Sequence, residues 1–376
     1  MYTRKALHQI SKWIAKDKVL ILYGARQVGK STILKLLSAQ ADTDILILSA
    51  ENPTVAEILM SKDLSRINFL FGSSKIVAID EAQKISEIGS ILKYIHDSDE
   101  VSQQIIATGS SSFELSNKIT EPLTGRNVKF NVFPFSIAEI TEAKGSAWAI
   151  DHLEDLLIYG QYPATLDEGI EGKRMILDNL SMDYLFQDVL SLDNLLNANT
   201  IKNILKALAL QLGSEVSYHE IAQLLGIAPQ TVERYLDLLE KSFVITSLPS
   251  LSRNLRNELK KSKKYFFVDL GLRNAVISNY APLSNRTDVG ALWENFCVME
   301  RIKTISLQSQ KPNLYFWRTY DHAEIDLIEE SDGKYDLWEF KWNPKKKVRW
   351  PKSFLGAYEI GKQKVISRAN FYELVA

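Results

Sequence analysis

Cysteine is nearly absent. The 376-residue sequence holds one, Cys297, which excludes intrachain disulfides and any cysteine-built zinc or iron–sulfur site and suits a reducing compartment. The start, Met1-Tyr2-Thr3-Arg4-Lys5, lacks the apolar core of a signal peptide, and no run approaches the ~20 apolar residues that a membrane helix requires. The expectation is a cytoplasmic protein with no membrane partner. Net charge is missing too: 45 Lys and Arg stand against 46 Asp and Glu, so any basic surface must be local. The remaining composition, 45% hydrophobic and 24% charged, is that of a globular protein, and the length exceeds what one core usually serves. Two or three domains are expected.

Against this plain background one segment stands out. The apolar run Val19–Tyr23 leads directly into Gly24-Ala25-Arg26-Gln27-Val28-Gly29-Lys30-Ser31, a complete phosphate-binding loop. Its glycines let the backbone curl around an anion, so N–H groups and the next helix N-terminus point at the β- and γ-phosphates. Lys30 adds a point charge and Ser31 a hydroxyl ligand for Mg²⁺. Gly24 through Thr32 are therefore candidate contacts to a nucleoside triphosphate, with ATP and Mg²⁺ as the expected cofactors. Ile76-Val77-Ala78-Ile79-Asp80-Glu81 reads as a buried strand ending in two carboxylates. Asp80 is the metal-side acid, and Glu81 is placed to orient or deprotonate the attacking water. That pairing favours hydrolysis over mere binding.

Five β-like runs, Val19–Tyr23, Asp44–Ala50, Ser74–Asp80, Gln103–Gly109 and Val128–Phe133, alternate with helical stretches. Such alternation builds an α/β fold with a parallel sheet. The fourth run ends in Thr108-Gly109-Ser110-Ser111-Ser112, at the edge where open α/β sheets bind ligands. Either Thr108 and Ser110 contact the γ-phosphate or its water, or the segment is only a turn.

These motifs resemble the AAA+ ATPases. More closely, Leu123-Thr124-Gly125-Arg126 and Phe133-Pro134-Phe135-Ser136 look like elements of prokaryotic ATP-binding proteins that pair an AAA-type domain with a C-terminal DUF4143 domain. The likeness implies that Thr108 or Ser110 senses the γ-phosphate. It also makes Arg126 a candidate catalytic arginine, acting on its own nucleotide or, in a homo-oligomer, on a neighbour's; a surface ion pair is the other reading.

Beyond Ala147 the pattern is helical to about Leu210, broken at Gly160-Gln161-Tyr162-Pro163; the likeness suggests a helical lid. Val216–Leu236 then reads as helix, turn at Gly226, and helix opened by Pro229, with Val232, Leu236 and Leu239 inward. Phe243–Ile245 and Leu248-Pro249 follow as a wing, which completes a winged helix-turn-helix. Gln230, Thr231, Arg234 and Tyr235 are expected on the outer face, where a recognition helix meets DNA. Glu233, Asp237 and Glu240 on the same helix oppose phosphate contacts, so a purely structural or protein-binding module is the alternative. Two basic runs, Arg253–Lys264 and Lys341–Lys352 with Trp342 and Trp350, suit a polyanion, as would any solvated face.

The last third holds Trp317–Ile328 and Tyr335–Trp342, read as two paired strands. Glu339 and Lys341 share a face because strand side chains repeat every two residues, and Asp326 opposes them. Carboxylates beside a lysine suit a divalent cation, Mg²⁺ or Mn²⁺, that lowers the pKa of a water for phosphodiester cleavage. The stretch Asp326…Glu339-Phe340-Lys341 resembles the PD-(D/E)XK nuclease superfamily, without its proline, and Glu294 on the helix Leu292–Ile302 matches the upstream acid of such folds. By that likeness Asp326, Glu339 and Lys341 are catalytic, and Glu294, Asp326 and Glu339 hold metal; a degenerate or structural site is the alternative.

The expected organisation is an AAA+ core over 1–146, a helical lid over 147–210, a winged helix-turn-helix over 211–252 and a restriction-endonuclease-like α/β domain over 253–376. Two functions fit it. One is an ATPase that controls a metal-dependent nuclease held on DNA. The other is a regulatory switch whose C-terminal half only recognises DNA or a partner protein.

Overall fold

The computed structural model describes residues 2–40, 44–110, 123–191, 197–252, 263–319, 321 and 323–375, with the backbone alone at 182–191. Ser111, Ser112, Tyr320, His322 and most of the basic run 253–262 lie outside the described residues. The chain divides into two compact units, one built on residues up to Phe135 and the other mainly on those from Ser136 onward. Among the described residues no helix is long and apolar enough to cross a membrane.

In the first unit α1 (Lys5–Ser11) precedes β1 (Val19–Tyr23), every residue of which is buried. A strand covered on both faces reads as a continuous apolar run, as Val-Leu-Ile-Leu-Tyr does. Then come α2 (Lys30–Gln40), β2 (Ile45–Ser49), α3 (Pro53–Ser61), α4 (Leu64–Phe71), β3 (Ile76–Asp80), α5 (Ile88–His96), β4 (Gln104–Gly109) and β5 (Asn127–Asn131). The sheet is parallel in the order β2-β3-β4-β1-β5. Ile21, Leu22, Ile79 and Ile106 are wholly buried in it, each contributing about 1.5–3 kcal/mol on removal from water. All five expected strands are present, within about two residues of their expected ends.

The second unit opens with α6 (Ile137–Lys144), started by a Ser136–Glu139 capping box, then α7 (Ser146–Asp151), α8 (Leu153–Tyr159) and α9 (Ile170–Ser191). Next are α10 (Ala198–Leu210), β6 (Glu215–Val216), α11 (Tyr218–Leu225), α12 (Pro229–Lys241), β7 (Ile245–Pro249) and β8 (Lys263–Phe267). Gly226 ends α11 at φ 65°, and Val232, Leu236 and Leu239 of α12 are buried, as their spacing requires. In the antiparallel order β6-β8-β7, β8 is the central strand of this small sheet, although the boundary expected at residue 253 placed it apart from β6 and β7. Sequence alone hid this because the basic run separates β8 from its partners. Tyr235 also departs from expectation. It is 4% exposed, and its hydroxyl accepts from Asn197 N at 2.9 Å.

After α13 (Leu270–Val276) and the long helix α14 (Val289–Ser306) come β9 (Asn313–Arg318), β10 (Glu324–Ser331), β11 (Lys334–Phe340), α15 (Lys352–Leu355) and β12 (Glu359–Ile366). They form a sheet ordered β12-β11-β10-β9. β10 and β11 join through Asp332-Gly333, both at positive φ, the geometry of a tight primed hairpin turn. The segment expected as one strand from Trp317 to Ile328 is therefore the end of β9 and the start of β10. Ile325, Ile328, Leu337, Leu251 and Phe354 form a core cluster, against which Trp317 and Trp350 pack.

Candidate functional site

The loop between β1 and α2 contains two left-handed residues, Gln27 at φ 59° and Gly29 at φ 96°. Left-handed residues in such a loop turn successive N–H groups into a concavity suited to an anion. Gly24 has no room for a side chain, since a Cβ there would lie 2.2 Å from Val132 O. Ala25 and Val28 are buried, Arg26 and Thr32 half-buried, Gln27 and Ser31 exposed. Lys30 opens α2 at 5% exposure and donates from Nζ to the carbonyls of Gly24 and Ala25, each at 2.8 Å. Arg4, which sequence reasoning missed, braces the loop: its Nη1 donates to Val28 O at 2.6 Å and its Nη2 to Phe133 O at 2.7 Å, over the Phe135 ring. Nothing in its neighbours Tyr2, Thr3 and Lys5 signals that role.

β4 lies between β1 and β3, which sets its tip between the loop and the acidic pair. Thr108, wholly buried, donates to Asp80 Oδ1 at 2.5 Å and accepts from Glu81 N at 3.1 Å. Glu81 sits at φ 54°, and its Oε2 accepts from Gln83 Nε2. Gln83 Oε1 is buried and finds no donor among the described residues. Ser110 is wholly buried. A left-handed loop with its lysine, faced by two carboxylates at the β3 tip and a threonine at the β4 tip, fits a nucleoside triphosphate with Mg²⁺.

Arg126 lies elsewhere. Asn127 pairs with Val19 and Asn131 with Tyr23, so Arg126 stands at the amino edge of the sheet while the loop leaves the carboxyl edge. Five strand residues separate those edges by about 13–16 Å. Its Nε donates to Asp97 Oδ1 at 2.6 Å, and that hydrogen bond holds the Asp97 carboxyl below its ordinary range. Of the readings left open for Arg126, the described side chains show the surface ion pair, and the sheet lies between Arg126 and its own loop.

In the second unit, Glu294 on α14 and Glu324 and Asp326 on β10 bring carboxylate oxygens within 4.8 Å of one another. Oxygen donors so grouped suit a hard divalent cation. An ammonium already sits among them. Lys264 of β8, 1% exposed, places Nζ 2.8 Å from Glu294 Oε1 and 2.5 Å from Glu324 Oε1. Burial alone would lower the Lys264 pKa, but Glu294, Glu324 and Asp326 outweigh it and hold it above its ordinary range. On the other side Lys341 Nζ contacts Asp326 Oδ2 at 3.1 Å and Glu339 Oε2 at 2.6 Å, while Phe340 N donates to Asp326 Oδ2 at 2.8 Å. Burial pushes Glu294 up to about 7; burial, then the Asp326 charge, pushes Glu339 up to about 8.

Three points are added here. Glu324, two residues before Asp326, groups with Glu294 and Asp326, while Glu339 pairs with Lys341 and lies beside Asp326. Lys264, counted with the basic run, is buried in ion pairs. Trp342 and Trp350 are no open stacking platform: Trp342 meets Trp293 edge-on with ring centroids 5.3 Å apart, and Trp350 packs on the sheet core.

Residues 16–141 match the family model described as AAA domain. The N-terminal segment is an AAA domain. Residues 150–283 match a domain of unknown function (DUF8612) and 289–372 another (DUF4143). An uncharacterized protein of Mycobacterium tuberculosis is 29% identical over 88% of this chain and 72% of its own length. One from Haemophilus influenzae is 26% identical over 73% of this chain and 74% of its own. Among solved structures, the Thermotoga maritima RuvB Holliday junction branch migration motor aligns with 69% of this chain and 95% of its own, at 16% identity and a TM-score of 0.33. The AAA domain thus holds the phosphate-binding loop, Asp80, Glu81 and Thr108, whereas the carboxylate trio lies in the DUF4143 domain and Lys264 in the segment before it.

Proposed function

We propose that the AAA domain hydrolyses ATP with Mg²⁺ and that hydrolysis controls a C-terminal half directed at nucleic acid. The observation that carries the first part is the Thr108 hydroxyl, which ties Asp80 and Glu81 into one unit at the strand tips. Glu81, held by Gln83, takes the proton of a water whose oxygen attacks the γ-phosphorus, while the bond to the β,γ-bridging oxygen breaks and ADP leaves. Lys30 releases its loop carbonyls and neutralises the β- and γ-phosphates. Ser31 and Asp80 would hold Mg²⁺, which would supply charge neutralisation at the phosphates when bound. Phosphate release tests this: Lys30→Ala abolishes nucleotide binding, and Glu81→Gln binds ATP but does not turn over. Parental turnover in Glu81→Gln would refute the assignment of the base.

For the C-terminal half, carboxylates of Glu294, Glu324 and Asp326 beside Lys341 support a nuclease-like centre, with Glu294, Glu324 and Asp326 as the residues to hold a cation. A second reading is a regulatory switch that binds without cutting. The exposed Glu233 and Asp237 on α12 favour it. Incubation with Mg²⁺ or Mn²⁺ and labelled single- and double-stranded DNA, with and without ATP, separates the two. Under the first reading Asp326→Ala and Lys341→Ala each remove cleavage and leave ATP hydrolysis intact. Cleavage absent throughout, by folded protein that still hydrolyses ATP, favours the second, with DNA or a protein as the partner.

A further inference from the structure

A divalent ion and an ammonium cannot both occupy the space between the same two carboxylate oxygens. A divalent ion takes oxygens at about 2.0–2.6 Å, and the Lys264 ammonium already stands 2.8 and 2.5 Å from Glu294 Oε1 and Glu324 Oε1. An ion bound to the same two oxygens would fall within the volume of that ammonium and against its charge. We propose that Lys264 is the resident cation of the acid cluster, holding the place a divalent ion would take, so that the cluster binds metal tightly only when that ammonium is removed. This rests on reading Glu294, Glu324 and Asp326 as a cation site.

The backbone geometry makes the arrangement a closed one. Lys264 belongs to the central strand of its sheet, paired with Glu215 of β6 on one side and Leu248 of β7 on the other, so its position is fixed from both directions. Gly213, just before β6 and at φ 75°, lies against Glu294: a Cβ there would come 3.1 Å from Glu294 Oε2. The Lys264 chain also runs over the Phe316 ring, with Nζ 5.4 Å from its centroid, which walls the ammonium on an apolar side. Glu294 and Asp326 keep 15% and 8% side-chain exposure beneath this cover, and Glu324, at its edge, keeps 29%. The sheet that precedes the DUF4143 domain therefore plugs the domain's carboxylates with a side chain of its own chain.

The test is Mn²⁺ titration of the full chain without nucleotide, free Mn²⁺ being read by electron paramagnetic resonance. Lys264→Met should gain one Mn²⁺ per chain at least tenfold tighter than the parent, Lys264→Arg should stay at the parental level, and Lys264→Met/Asp326→Asn should lose the gain. Mn²⁺ should also raise the melting temperature of Lys264→Met more than that of the parent. Tight Mn²⁺ binding by the parent, abolished by Asp326→Asn, would overturn the plug while leaving the cation site standing, and needs no Lys264 variant to fold. Absence of binding in folded Lys264→Met and in Lys264→Gln, whose amide still donates to a carboxylate, would overturn the cation site and the plug together.

Discussion

Replacing Thr108 with Val keeps the shape of the side chain and removes its hydroxyl. In the parent that hydroxyl donates to Asp80 Oδ1 and accepts from Glu81 N, and the residue has no exposed surface. Valine leaves the Glu81 N–H without its acceptor, a loss of about 1–3 kcal/mol, and removes a hydrogen bond to a charged group worth about 1.5–3 kcal/mol. These losses overlap, because both describe the anchoring of one strand tip, so a total of about 2–4 kcal/mol is expected. Part of it falls on folding and part on the alignment of Glu81. If half falls on alignment, kcat drops roughly 5–30-fold, since each 1.4 kcal/mol is tenfold. Phosphate release at saturating ATP gives kcat, and fluorescent nucleotide titration gives affinity, which should change less than threefold because the loop itself is untouched. A variant that unfolds more easily yet keeps parental kcat would show that Thr108 only holds the strand tips together. Unchanged stability and unchanged kcat would refute the bridge altogether.

Arg126→Ala should leave turnover of the monomeric chain within about twofold, because the sheet stands between Arg126 and the loop; a large loss confined to concentrations where the chain self-associates, rescued by mixing with Asp80→Asn, would assign Arg126 to a neighbour's nucleotide. Gly24→Ala should reduce nucleotide affinity at least tenfold by pressing on Val132 O, read by the same titration, and parental affinity would show that the loop can move aside. Asp288 faces Arg273 and Arg286 at 2.6 and 2.8 Å; burial opposes ionisation there, but the two guanidinium groups win and lower its pKa to about 2 from the ordinary 3.8. Its contribution, roughly 1–2 kcal/mol after solvent screening, is fully present above pH ~4 and is lost as the pH falls toward 2. Asp288→Asn should therefore be less stable than the parent in urea at pH 5, with the gap narrowing on acidification; a gap independent of pH would refute the pairing.

The first unit was legible because its signals are local. A buried parallel strand is a continuous apolar run, and a phosphate-binding loop is eight consecutive residues, so Val19–Tyr23 and Gly24–Ser31 carry their own description. Thr108 was legible only by position. Its hydroxyl was open between ligand and turn until the order β3-β4-β1 put it beside Asp80, since strand order is a long-range property that no window of sequence contains. Arg126 stayed open between three readings for the same reason: its motif names a residue type, while the register Asn127 with Val19 decides which edge of the sheet it occupies.

The C-terminal centre shows which rule was incomplete. Alternation correctly grouped acids along each strand, and the same period of two that joined Glu339 to Lys341 also joins Glu324 to Asp326. Glu324 was legible in principle and was passed over because the motif names only Asp326 on that strand. Lys264 was not legible at all. In sequence it closes a run of basic residues, the pattern of a solvated face, and its neighbours Tyr265, Phe266 and Phe267 announce only a buried strand. Charge in a run says that the average residue is solvated; it does not say which member turns inward at a strand end. A lysine is buried only where enough opposite charge surrounds it, so a cluster of carboxylates with too few visible cations is itself a signal to look for one. Glu294, Glu324, Asp326 and Glu339 against Lys341 alone formed such a deficit, and the missing cation came from a strand that sequence order had grouped apart from its sheet partners.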